Sequence, residues 1–126
     1  MKQALLVFFG GGIGSVLRYL VSKYSDKIQE TVPLVPIGTF MVNVIGSLII
    51  GIVLGLVMKG NSLSQDHALL LATGFCGGFT TFSAFAYENQ VFLKNGDLLN
   101  FFIYTFGSIL LGIIAVLVGL WLAKLF

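Results

Sequence analysis

Gly74-Phe75-Cys76-Gly77-Gly78-Phe79-Thr80-Thr81-Phe82-Ser83 decides how this chain folds, because it sits at the centre of a long apolar run. Three glycines and three hydroxyls share these ten residues. Glycine is a poor helix former, so the stretch predicts a break in the helix that carries it. Irregular backbone at membrane depth survives only where protein or a watery cavity satisfies it. A broken helix also aims free carbonyls and N–H groups inward, where they can bind ions. The competing reading of the same glycines is a close-packing surface on an unbroken helix.

The run around this stretch spans about residues 66–92, and three more apolar runs flank it, at about 3–20, 36–58 and 98–123. About 20 apolar residues are needed for a helix to cross the hydrocarbon core, so each run is a predicted membrane span. Pro36 falls in the first turn of the second, where a missing N–H costs little. The fourth carries no charge. The links are short and polar: residues 22–33 with Lys23, Asp26, Lys27 and Glu30; 59–65; and 94–97, which holds the turn dipeptide Asn95-Gly96. None can hold an extramembrane domain, so residues 1–126 read as a single four-helix transmembrane domain. Composition agrees. Of the 126 residues, 57% are hydrophobic and 10% charged, with a mean hydropathy of +1.01; a soluble domain is about 25% charged. The N-terminal Lys2 and the apolar residues after it superficially resemble a signal peptide. The run continues through Gly10, Gly11, Gly12 and Gly14 to Arg18 without a small-residue cleavage site, and is read as the first membrane helix.

Several chemistries are excluded. The single cysteine, Cys76, rules out an intrachain disulfide and a cysteine zinc cluster. His67, beside Asp66, reads as a solvated histidine at a loop–helix junction rather than a metal ligand. It is also too far from any embedded nucleophile to complete a hydrolytic triad. Gly10-Gly11-Gly12-Ile13-Gly14 opens no βαβ unit and so carries no dinucleotide signal. No basic, aromatic cluster suits nucleic acid. The chain does not read as an enzyme.

With four spans, both termini and the 59–65 link share one side of the membrane. That side carries Lys2, Lys59 and Lys124; the other carries Arg18, Lys23, Lys27 and Lys94. Orientation follows Lys/Arg imbalance near the helix ends, and here the imbalance is almost nil. Such a chain can insert both ways, and opposite copies can pair about an axis in the membrane plane. Ser47, Gly51 and Gly55, with Ser108 and Gly112, are small residues spaced for close helix approach, either between copies or within one.

Polar groups at bilayer depth are few and periodic. Thr39, Asn43 and Ser47 recur every fourth residue and form one stripe. Tyr104 and Ser108 form another, and Thr81 and Glu88 are spaced to share a helical face. These groups either glue the helices together or line a pathway. As neutral donors they can replace part of an anion's hydration without trapping it, as conduction requires. Phe82 and Phe85, at i and i+3, face one way, and aromatic ring edges carry the positive part of the quadrupole. Arg18 reads as snorkelling to the interface or pairing locally. Glu88, near the end of its helix, has three readings: an interfacial carboxylate, a hydrogen-bond acceptor at a pore mouth, or a proton carrier.

Three motifs carry a resemblance to a known family: Gly11-Gly12-Ile13-Gly14-Ser15-Val16-Leu17-Arg18-Tyr19, Gly38-Thr39-Phe40-Met41-Val42-Asn43-Val44-Ile45-Gly46, and residues 74–85. Over nearly its whole length the chain resembles the Fluc (CrcB) fluoride channels. The resemblance implies an all-α, multi-pass protein of the bacterial plasma (inner) membrane. It would work as an antiparallel, dual-topology homodimer with two pathways for passive fluoride export, lowering fluoride toxicity. It further implies that Phe82, Phe85 and Asn43 line the pores, with Thr39, Ser83, Tyr104, Ser108 and Glu88 along the polar side. A structural sodium would sit at the dimer centre on backbone carbonyls of Gly77 and Thr80. Ala84 departs from the family's frequent hydroxyl there. The competing functional reading is a small dual-topology, proton-coupled exporter of cationic compounds, although the first helix lacks the embedded acid such a carrier wants. A non-conducting scaffold would need a larger recruitment surface than these loops offer.

Overall fold

The computed structural model describes residues 1–29, 35–60 and 63–126. Glu30 and Pro33 of the first polar link, and Asn61 and Ser62 of the second, lie outside the described residues. The elements are α1 (Lys2–Gln29), α2 (Ile37–Met58), α3 (Gln65–Ala68), a π-helix (Leu69–Cys76), α4 (Gly77–Phe79), α5 (Phe82–Lys94) and α6 (Leu98–Leu125). No strand occurs among the described residues. Four stretches are long and apolar enough to cross a membrane: Lys2–Ser25, Ile37–Met58, Gln65–Lys94 and Leu98–Leu125. The four-span expectation holds.

Two boundaries move. α1 runs on to Gln29, well past the expected end at residue 20. Nothing between Ser15 and Gln29 breaks a helix, so the polar residues expected in a link continue the helix instead. Pro36 sits just before α2, as its N-cap, and its carbonyl accepts the Phe40 amide at 3.1 Å. The turn at Asn95-Gly96 forms as expected. Gly96 takes φ +71°, and the Gly96 and Asp97 amides close back on the carbonyls of Leu93 and Phe92, a Schellman ending for α5. Asp97 then caps α6 through the Asn100 amide. His67 ends as a capping residue, its Nδ1 accepting the Ser64 amide at 3.3 Å.

The spans pack in two parallel pairs. α1 lies along the π-helix and α4, and α2 lies along α6. Contact between them is nearly backbone to backbone. A methyl group at Gly10 would fall on the Leu70 carbonyl, one at Gly51 on the Val116 carbonyl, and one at Gly119 on the Leu48 carbonyl. The stripe Ser47, Gly51 and Gly55 therefore packs α2 against α6 within the chain, with Gly112 facing Ser47 and Ala123 facing Gly55. The buried core is mostly small residues, Val42, Val53, Ala72, Cys76, Ala115 and Ala123, with Phe79 and Tyr104 as its two large members, while Phe8, Ile13, Ile113 and Leu117 point outward. This is the packing expected where lipid gives no hydrophobic drive and close approach supplies the contact.

Candidate functional site

The third span breaks where the glycine-threonine stretch predicts. Thr80 and Thr81 leave the helix for extended backbone, with φ/ψ of −80°/160° and −149°/118°. Two devices make this tolerable at bilayer depth. Asn43 on α2 presents its side-chain amide to Thr81 as a strand would: the Thr81 N–H donates to Asn43 Oδ1 at 2.8 Å, and Asn43 Nδ2 donates to the Thr81 carbonyl at 3.1 Å. From α1, Arg18 Nη1 donates to the Thr80 carbonyl at 3.2 Å, and Ser15 Oγ reaches the Gly78 carbonyl at 3.5 Å. Gly46 leaves room for the Thr80 side chain. Burying such backbone groups without partners would cost about 1–3 kcal/mol each.

Beyond the break, α5 restarts with Thr81 as its cap, the Thr81 hydroxyl accepting the Ala84 amide at 3.2 Å. The amides of Phe82 and Ser83 find no acceptor among the described residues. The start of α5 thus offers N–H groups and the positive end of a helix dipole inside the span. Phe82 is 79% exposed, and its ring centroid lies 5.9 Å from that of Phe85. Phe85 in turn packs on Tyr104 at 5.2 Å. Ser83 is exposed, with its hydroxyl 3.3 Å from that of Thr81.

Glu88 is the hub of the polar cluster. Thr39 Oγ1 donates to Oε1 and the Tyr104 hydroxyl to Oε2, each at 2.6 Å. Thr39 is buried, and Tyr104 is only 1% exposed. Both carboxylate oxygens of Glu88 thus accept hydrogen bonds inside the bundle. Ser108, one turn along α6 from Tyr104, buries its hydroxyl without a protein partner. A cavity of about 430 Å³ opens beside the break, lined by Asn43, Ser47, Thr73, Gly77, Thr81 and Phe82 among others.

Most of the expected residues therefore meet, with two revisions. Asn43 commits its carbonyl oxygen and one N–H to the backbone of the break, so only its second N–H is free for a ligand. Thr81 does not share a helical face with Glu88, because its backbone is extended and helical spacing fails there. Gly77 is exposed and Thr80 half-buried.

Two supports lay beyond sequence reasoning, the partner that Arg18 takes and the role of Asn89. Arg18 pairs with the break itself. Asn89, buried, donates to the Phe85 carbonyl at 2.9 Å and accepts from Thr105 Oγ1 at 2.8 Å. Glu88 and Asn89 on α5 thus grip the consecutive residues Tyr104 and Thr105 on α6, fixing the rotation of α5 and hence the direction of both phenylalanines. Ser15 and Arg18, at i and i+3, were the available signal for the first support; Asn89 and Thr105 had none in linear spacing.

A family model described as CrcB-like protein, Camphor Resistance (CrcB), matches residues 5–120. The chain is 49% identical to the fluoride-specific ion channel FluC of Gloeothece citriformis over 98% of each chain. It is 45% identical to the protein of the same name from Phocaeicola vulgatus, covering 98% of this chain and 100% of that one. A Rhizobium leguminosarum relative, also so named, is 43% identical over 95% of this chain and 94% of its own.

Proposed function

The chain belongs to the CrcB-like family, and we propose that it is a fluoride-specific ion channel through which fluoride leaves the bacterial cell down its own gradient. It is a multi-pass membrane protein, and its relatives are named as channels, not enzymes. The observation that carries the reading is the break. A helix restarts inside the span, with amides at Phe82 and Ser83 that find no acceptor among the described residues, two phenylalanines on its first turn, and the Thr39 and Tyr104 hydroxyls gathered on Glu88 from the neighbouring helices.

A small anion entering here trades water for fixed donors. The second N–H of Asn43 and the buried hydroxyl of Ser108 need no rearrangement to offer a proton. The Thr39 and Tyr104 hydroxyls already donate to Glu88, so an anion that takes one replaces a carboxylate oxygen as acceptor. The number of hydrogen bonds is kept, and the repulsion of Glu88 holds the binding weak, which suits entry and exit. Phe82 and Phe85 contribute ring edges, which attract an anion without offering it a full charge.

Thr73, Gly77 and Ser83 lie exposed on one chain, and their hydroxyls and bare backbone make a poor surface for lipid. A second copy in the opposite orientation covers it, as the near-balance of Lys and Arg also favours, making an antiparallel dimer with two pathways. The carbonyls of Gly77 and Thr80 are neutral, hard oxygen donors, which fit a monovalent sodium shared between copies. The Arg18 contact on the Thr80 carbonyl takes one of its two lone pairs.

Fluoride efflux from liposomes, read with a fluoride electrode, tests the proposal. Release of fluoride without chloride, slowed by Phe82→Ile, is expected. Folded protein that releases no fluoride would sink the channel reading and turn attention to proton-coupled cation export through Glu88.

A further inference from the structure

The C-terminal ends of α2 and α6 meet on one side of the membrane and frame a groove of about 440 Å³. Its walls are apolar, from Gly55, Leu117, Leu120 and Trp121, and its open end carries Lys59 and Lys124. We propose that this seam binds an anionic phospholipid, its phosphate on the two lysines and one acyl chain along the groove. The proposal does not depend on what the channel conducts.

Charge is the first argument. Among the described residues the one ion pair is Lys2 with Asp66; neither Lys59 nor Lys124 has a carboxylate partner. Lys59 Nζ donates to the Lys124 carbonyl at 2.9 Å, which ties it to the residue bearing the other cation and leaves two of its three N–H groups free. Two like charges held together on adjacent helix ends are relieved by an anion between them. The helix ends, with their unsatisfied carbonyls, hold the lysines in place but do not neutralise them.

Depth is the second. Both lysines stand just at the ends of spans, Met58 closing one and Leu125 the other, so they lie where phospholipid phosphates lie. Trp121 is 58% exposed and lines the groove one turn below Lys124, the placement of an interfacial anchor. A zwitterionic lipid brings its own cation to the same spot and competes with the lysines, so the site distinguishes headgroups. Two basic residues at the surface give a preference on the order of tenfold.

The test is native mass spectrometry of the full chain in detergent, supplied with equal amounts of phosphatidylglycerol and phosphatidylcholine. The wild type is expected to retain phosphatidylglycerol about tenfold better. Lys59→Gln with Lys124→Gln should remove that preference, Lys23→Gln at the other surface should not, and Trp121→Ala should weaken retention of both lipids. A thermal shift on adding each lipid to the same variants gives an independent readout. Equal retention of the two lipids by the wild type, or a preference that survives the double substitution, overturns the proposal. So does loss of an oligomer in the double variant with lipid retention unchanged, which assigns the seam to a second copy.

Discussion

α2 and α6 run side by side through the membrane, yet their two halves are built on different principles. Toward their C-termini they touch through Gly51, Gly55, Gly119 and Ala123, with backbone nearly against backbone and, among the described residues, no side-chain hydrogen bond across the seam until Lys59. Toward their N-termini Glu88 of α5 enters between them and holds Thr39 on one side and Tyr104 on the other. The first half is held by close approach, the second by exchangeable hydrogen bonds. A dry seam cannot rearrange for an ion without opening a void, whereas a hydroxyl can turn from one acceptor to another. On the proposed function, one helix pair thus separates holding from conducting along its length.

Substitutions should divide along the same line. The largest effect is expected from Asn43→Leu, which leaves the Thr81 N–H and carbonyl without partners at bilayer depth. At about 1–3 kcal/mol per group the loss is roughly 2–6 kcal/mol, enough to unfold the break. Chemical denaturation in detergent and fluoride flux should both register it. Next is Gly51→Val, which drives side-chain atoms into the Val116 carbonyl and should cost about 1–3 kcal/mol in the same denaturation assay. Asn89→Leu, which strips the grip of α5 on Thr105, should destabilise by about 1–2 kcal/mol. It should also lower the fluoride-to-chloride flux ratio, because the phenylalanines lose their register. Smallest is Lys2→Gln, which breaks an exposed ion pair worth about 0–1 kcal/mol and should leave flux unchanged, with any stability change disappearing at high salt.

The halves also differ in how plainly the sequence announces them. The spans are legible because a membrane demands a fixed length of apolar chain, and the break is legible because Gly77, Gly78, Thr80 and Thr81 are poor helix formers placed where lipid tolerates no loose backbone. The π-helix over Leu69–Cys76 has no such mark: Leu-Leu-Leu-Ala reads as ordinary helix, and its widened turns accompany the close approach of α1 glycines to the Leu70 and Phe75 backbone. The small-residue stripe was legible as a stripe, but its partner was not, since spacing on one helix cannot say whether α6 or a second chain lies against it. Asn43 shows the same limit at the site. Its type and depth point to an important amide, but only the folded chain reveals that most of its bonding goes to Thr81. Arg18 was legible only in part, since the reading left open snorkelling to water or local pairing, and only the folded chain shows that a broken helix supplies the carbonyl it takes.

The most direct test compares fluoride flux per folded protein for Tyr104→Phe and Gly51→Ala in liposomes, with melting temperature measured on the same samples. The account predicts that Tyr104→Phe lowers flux about tenfold, the worth of one charge-assisted hydrogen bond, while Gly51→Ala lowers the melting temperature and leaves flux per folded protein unchanged. Flux that falls for Gly51→Ala and holds for Tyr104→Phe would contradict it.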